Sequence, residues 1–469
     1  MADNGRLLAL AAMGAERVLG VCVPVKPGDT VAMFFDRQTE DCMRVLEQAA
    51  HALELRCLKR QVEAAEQTRW AESGQLDPMD EAAIDEARAV LISLSSKDGG
   101  MPYRRRLVQH AVDDTRFVGV MPGATLELLA YAVNIDYEKV KQRCDDLAVA
   151  MLAGEDAILT TYAPGSNGAA ERAHTLRLSL GSFDRSPITS TGIVPLGTWA
   201  NLPGGETFIA PMEAIAEGSY VLNGAYTGFV LQPDRPLLLE FASGDLVNVR
   251  GREEDCEAFR QMLREAAGGR IPPRLGLAEL GIGVNEGLDG LTGNALFDEK
   301  KEGTAHVAVG ENKIYGGVLR SPLHEDFITQ SPSLTIDGKK ILDRGRYALQ
   351  PSDWREGRAL AEQFGRDLPK EFVLQKTALH GSEDGVGFLR VTRPVGDQRK
   401  CVYTVGAADI SHDLARLYGL LPPDYESIRY SVLYDRWHRI RGLESDEYIR
   451  GLVAVLRRHH LAQVFQADD

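Results

Sequence analysis

Apolar positions change rhythm twice along this chain. From about residue 20, short all-apolar runs bounded by turn residues alternate with segments of helical spacing. "KPGDTVAMFFD" reads as a turn at Pro27-Gly28-Asp29 feeding a buried strand from Thr30 to Phe35. Beyond Thr39, a predicted N-cap, residues Cys42, Met43, Leu46, Ala49, Ala50 and Leu53 recur at the spacing of one helix face. The runs Ala87 to Leu94 and Thr115 to Gly123 repeat the strand pattern. This alternation predicts an N-terminal α/β domain over residues 1–165.

After "YEKVKQRCDDLAVAMLAGEDAILTT", a helix followed by a strand, short Gly-, Pro- and Thr-rich strands take over. His174 to Leu180 alternates polar and apolar residues as a half-buried strand does, and "REEDCEAFRQMLREAAGG" stands out as a helix. The boundary is placed in the loop "APGSNGAAER", giving a mixed, strand-rich domain over 166–345. Residues 346–469 then read as a charged, helical C-terminal extension. In "SDEYIRGLVAVLRRHH", Ser445 is the expected N-cap, Asp446 and Glu447 sit in the first turn, and Arg457, Arg458, His459 and His460 close the helix. That charge order suits the helix dipole and makes the His pair a helix-end feature. Trp437, Leu443, Tyr448, Ile449, Leu452 and Leu456 supply an apolar face. Its burial predicts an ordered module, packed on the rest of the chain or across a homodimer interface.

At 469 residues, two or three packed units are expected. A net charge of −15 repels a phosphate backbone, so no nucleic-acid partner is expected. The six cysteines form no Cys-x-x-Cys pair, which removes a thiolate zinc knuckle and a redox dithiol. The N-terminus is a poor secretory signal, with Asp3 ahead of its short apolar run. No apolar stretch is long enough for a bilayer, so no membrane partner and a cytoplasmic address are expected.

The chemistry concentrates between residues 197 and 326. In "HVAVGENKIYGGVLRSPLHED", His306, Ala308 and Gly310 share one face if the segment is a strand, and His324 and Asp326 share a face with Glu325 opposite. "GTWANLPGGETFIAP" presents Glu206 after a Pro-Gly-Gly turn. "LGLAELGIGVN" sets Glu279 in an apolar run, where an unpaired carboxylate would be costly and a bound cation or basic partner is expected. "GNALFDEKKEGTAHVAVG" adds Glu299. Carboxylate oxygens with imidazole nitrogens suit zinc, cobalt, manganese or iron(II), and several carboxylates allow one to bridge two ions. Taken singly, each of these residues reads as structural more often than as a ligand.

The segments "GTWANLPGGETFIAP", "AELGIGVN", "LFDEKKEGTAHVAVG" and "SPLHED", in this order and rough spacing, resemble the thermophilic aminopeptidase family, typified by aminopeptidases T and S. The similarity covers roughly residues 20–345. It implies an N-terminal α/β domain beside a strand-rich catalytic domain and the removal of N-terminal residues from peptides, or cleavage of a related small amide, by a metal-activated water. It also implies one or two divalent ions, with metal-ligand roles for Glu206, Glu279, His306, His324 and Asp326. Glu299 would be a further ligand or the base, and Glu279 or Glu299 would move the proton.

The sequence departs from that family in two ways. The peptidases carry a tyrosine soon after the "H-x-A-x-G" histidine. Here Tyr315, the candidate, is offset, and Lys313 stands closer to the expected place. The loop from His306 to His324 is also shorter. Both features resemble another branch of the superfamily, the 2,5-dihydroxypyridine dioxygenase-like proteins, which open an aromatic ring with a single iron(II). A third reading is a catalytically impaired peptide- or partner-binding protein on the same scaffold.

Overall fold

The computed structural model describes residues 2–95, 100–113, 115–165, 170–181, 185, 187–350, 362, 365–366, 368–376, 380–383, 389–395, 398–405, 411–422, 426–441, 444–458 and 461–466. Helices and several sheets make a mixed α/β architecture. The first sheet is parallel, with strands in the order Arg56–Gln61, Thr30–Phe35, Ala89–Ser93, Phe117–Val120 and Thr198–Asn201. Its three central strands are buried at every position, and apolar except at Thr30 and Ser93, because both faces are covered. Val31, Met33 and Leu91 enter the large core of the molecule, while Ala32, Phe34, Val90 and Ile92 enter a smaller core with Tyr103 and Leu107. Thr39 occupies the N-cap position of the helix Glu40–Ala52 as expected, but its hydroxyl makes no capping bond and donates instead to the Ser93 carbonyl at 2.5 Å.

Two antiparallel sheets follow. One has eight strands running from Asp245–Arg250 at one edge to Arg346–Tyr347 at the other. The other has seven, in the order Phe229–Val230, Ala225–Tyr226, His324–Gln330, Thr304–Gly310, Leu277–Gly283, Glu206–Ile209 and Ile188–Ser190. Leu280, Ile282, Val307, Val309 and Phe327 on the seven-stranded sheet share the large core with Leu176, Leu178, Tyr220 and Leu239 of the eight-stranded one. The Tyr220 hydroxyl donates to the Phe327 carbonyl at 2.5 Å. Burying one face in this way leaves the other face of the seven-stranded sheet to carry polar groups.

Position 165 lies between two neighbouring strands of the eight-stranded sheet, Asp156–Ala163 and Arg172–Ser179. The strand Thr198–Asn201, from beyond that position, joins the parallel sheet. The sheets therefore interlock across the boundary drawn from the sequence.

The C-terminal extension corrects the helical expectation. It combines the helices Ser411–Leu420, Tyr430–Arg441 and Asp446–Arg458 with two three-stranded sheets. The strand segments "LRVTRPV" and "QRKCVYTV" carry three β-branched residues each, and "FVLQK" pairs Phe with Val, residue types that favour extended backbone. Ser445 accepts a hydrogen bond from the Tyr448 amide at 3.2 Å, as an N-cap does. Trp437, Tyr448, Ile449, Leu452 and Leu456 are fully buried; Leu443, His459 and His460 lie outside the described residues. The strand Gln398–Val405 packs against Ile188–Ser190, Thr198–Asn201 and the helix Tyr137–Ala153. Among the described residues no helix is long and apolar enough to cross a membrane.

Candidate metal centre

Strand register assembles the cluster. Gly281 pairs with both Phe208 and His306, Ala308 pairs with both Glu279 and Asp326, Gly283 pairs with Glu206, and Gly310 pairs with His324. Directly paired residues project to the same side of a sheet. Glu206, Glu279, His306, His324 and Asp326 therefore stand on one face, separated by Gly281, Ala308 and Gly310, which leave room between them. Glu325 points the other way and accepts from the Thr227 hydroxyl at 2.7 Å.

Close packing holds each group. Gly205, at φ +121°, turns the chain into the Glu206 strand where a side chain would strike Asn285. Asn285 is itself buried, donating to the carbonyls of Ala132 and Gly204 at 2.8 Å each. His324 Nδ1 donates to the Glu311 carbonyl at 2.7 Å. That bond fixes the tautomer and aims Nε2 at Glu279 Oε2, 3.3 Å away, and at Asp326 Oδ1, 3.6 Å away. His306 Nε2 stands 3.0 Å from Glu279 Oε1 and 3.8 Å from Glu206 Oε2. Ligand atoms of Glu279, His306 and Asp326 lie within 4.8 Å of one another and could hold a metal ion.

Glu299 follows the short helix Ala295–Asp298. Asp298 anchors that turn by accepting from the amides of Thr292 and Gly293, both at 2.7 Å. Lys300, unassigned from the sequence, is fully buried, with its ammonium 2.8 Å from Glu206 Oε1 and hydrogen-bonded to Glu299. Tyr315 sits in a short helical turn and sets its ring edge-on to His324, 5.3 Å between centroids, and to Phe208, 5.2 Å. Asn312, bonded to Glu213 and to the Leu319 amide, braces this loop. Lys313, by contrast, is exposed.

The electrostatics fit a cation. Four carboxylates share this buried cluster with one lysine. Burial alone would push the His306 imidazolium down, but the hydrogen bond to Glu279 and the surrounding carboxylates outweigh it and hold it at about 9. His324 is likewise held well above the ordinary range, by Asp326 and Glu279 against its burial. Burial, then the neighbouring Glu206 charge, raise Glu299 to about 8. Asp326 goes the other way: burial opposes ionisation, but His324, His306 and Lys300 hold it at about 2. Burial and the same carboxylates keep the Tyr315 phenol protonated. Glu206 Oε2 and Asp326 Oδ1 are buried yet accept no hydrogen bond among the described residues. Unsatisfied buried carboxylate oxygens facing imidazole nitrogens are what a cation would complete. The donor set therefore fits a divalent ion.

Glu206, Glu279, Glu299, Tyr315, His324 and Asp326 line one cavity of about 330 Å³, with His306 fully buried behind it. Ile188, Ile193, Trp199, Phe208 and Leu296 form its apolar wall, and Ser190, Thr191 and Asn201 add polar edges. Glu206, Glu279, Glu299, His306, Tyr315, His324 and Asp326, the candidate site residues of the sequence, thus lie together, and Lys313 does not join them. Sequence reasoning missed Lys300, Gly281, Asn285 and Asn312. For Lys300 the only local sign is the "KK" inside the "LFDEKKEG" motif.

In sequence, the chain matches no protein-family model and no curated protein. Among solved structures it is similar to 2,5-dihydroxypyridine dioxygenase from Pseudomonas putida KT2440, at 16% identity and a TM-score of 0.51, covering 73% of this chain and 98% of that one. It is also similar to wild-type AmpT from Thermus thermophilus, at 17% identity and a TM-score of 0.51, covering 74% of this chain and all of that one. At such identities the likeness shows a shared fold.

Proposed function

We propose that this protein is a metal-dependent hydrolase of an amide bond, acting on the N-terminal end of a peptide or on a small amide. Glu279, His306, His324 and Asp326 would hold a divalent ion, with Glu206 Oε2 completing the set. The ion, when bound, supplies a Lewis acid for a carbonyl and lowers the pKa of a water. The observation that carries the reading is Glu299. It is a carboxyl group outside the tight ligand set, on the wall of the same cavity, with its proton affinity raised into the neutral range by burial and Glu206. Such a group can take a proton from water and return it to a leaving amine. Tyr315, held protonated beside His324, can donate a hydrogen bond to developing negative charge. The fold shared with AmpT supports the reading.

A second reading, a mononuclear iron(II) ring-opening dioxygenase, draws on the aromatic and apolar cavity wall and on the fold shared with 2,5-dihydroxypyridine dioxygenase. Aminoacyl anilides and dipeptides, assayed with zinc, cobalt or manganese in the absence of oxygen, separate the two. Turnover under these conditions supports hydrolysis. Strict dependence on iron(II) and oxygen, with consumption of a dihydroxylated aromatic ring, replaces it with the second reading.

A further inference from the structure

Glu206 faces two ways. Its Oε1 lies 2.8 Å from the Lys300 ammonium, while its Oε2, free of hydrogen bonds among the described residues, lies 3.8 Å from His306 Nε2. In a two-ion centre a carboxylate placed like this would bridge, one ion on each oxygen. We propose that Lys300 permanently occupies the second of these cation positions, so that the centre takes a single divalent ion, held on the Oε2 side of Glu206. This inference rests on the metal reading given above and goes beyond it in fixing how many ions the site accepts.

The geometry makes the two occupants exclusive. A divalent ion on Glu206 Oε1 and Glu299 would need oxygens at about 2.0–2.2 Å. The space between those oxygens is already filled by the ammonium, which is hydrogen-bonded to both carboxylates. The ammonium cannot step aside cheaply, because the Lys300 side chain is 0% exposed. Its backbone is also pinned, the amide donating to the Phe297 carbonyl at 3.1 Å and the carbonyl accepting from the Asn285 amide at 2.8 Å. Charge counting points the same way. One divalent ion and one ammonium bring three positive charges to the four carboxylates Glu206, Glu279, Glu299 and Asp326, and a second divalent ion beside the ammonium would bring five into the same buried space, so a second ion could enter only in place of the ammonium. Removing the ammonium would leave Glu206 and Glu299 facing each other without a cation, which is the condition for a second ion to enter.

Manganese(II) is the probe, read by equilibrium dialysis and electron paramagnetic resonance on the full-length protein. For the wild type we expect one manganese per chain and the six-line spectrum of an isolated ion. Two per chain, with the multiline spectrum of an exchange-coupled pair, overturns the proposal while leaving the metal reading intact. No bound manganese overturns both. Lys300→Met and Lys300→Gln are expected to take up a second manganese and to show the coupled spectrum. If either folded variant stays at one ion per chain, Lys300 is not what excludes the second. The wild-type spectrum decides the ion count even if both variants prove insoluble.

Discussion

Gly281 lies directly under His306: a β-carbon on Gly281 would stand 2.1 Å from both Cε1 and Nε2 of the imidazole. The two residues are register partners on adjacent strands, so the missing side chain is what lets the ring lie flat against the sheet and reach Glu279. Gly281→Ala should displace the ring without breaking the strand pairing. We expect metal affinity to fall by about 10–100-fold, as when an orienting contact of a ligand is lost. Circular dichroism should change little. Calorimetric titration with zinc checks this, and unchanged affinity would mean that the ring has no part in binding.

Protonation of the cluster gives a pH prediction with a definite sign. In the metal-free protein His306 holds its proton up to about 9, and a metal ion needs the neutral ring. Binding at pH 7 should therefore release protons and tighten as pH rises toward 9. Zinc titrations in buffers of different ionisation enthalpy measure the release directly.

The same groups set the stability of the metal-free protein. His306 has its folded pKa raised, so its contribution is full below about 6.5 and is lost as pH rises through about 9. Glu299, raised to about 8, adds a loss of the same sign, because the folded state keeps a proton that the unfolded chain gives up above about 4.5. Thermal midpoints of the metal-free protein should fall between pH 6.5 and 9. Scans across that range, with and without metal, should show a flatter profile for the loaded form.

Glu299→Gln removes the proton carrier while leaving Glu279, His306, His324 and Asp326 in place. We expect kcat on amide substrates to drop by about 10²–10⁴-fold, the usual worth of a general acid or base, with metal content retained. Full activity in the variant would move the proton-transfer role elsewhere, Glu279 being the next candidate.

In the C-terminal extension, Trp437 and Leu452 are fully buried. Trp437→Ala should cost about 3–5 kcal/mol and Leu452→Ala about 2–5 kcal/mol, through lost burial and the cavity left behind. Chemical denaturation measures both. The strand Gln398–Val405 lies against two strands whose residues line the cavity, so truncation after residue 345 should also raise KM. A truncated protein of unchanged stability and KM would show the extension to be independent of the site.

Where local pattern determines local structure, the sequence was legible. The continuous apolar run Thr30–Phe35 forms a strand of those bounds. The parity of His306 with Ala308 and Gly310, and of His324 with Asp326, places their side chains as the period-two rule requires. What stayed hidden depends on distant partners. A fully buried lysine and a surface lysine look alike in "DEKK", and only the fold brings Glu206 to Lys300. Nothing local marks Thr198–Asn201 as the edge strand of a parallel sheet whose neighbouring strand is Phe117–Val120. The strands of the extension are interrupted by charged and polar residues, which masked their β-branched content.

The metal content of the purified protein is the most direct measurement on this centre. Protein prepared without chelator and analysed for elements should carry one divalent ion per chain. His306→Ala and Asp326→Ala, each remaining folded by circular dichroism, should carry almost none. Equal metal content in the wild type and both variants, or none in any of them, would contradict the assignment of this cluster as a metal centre.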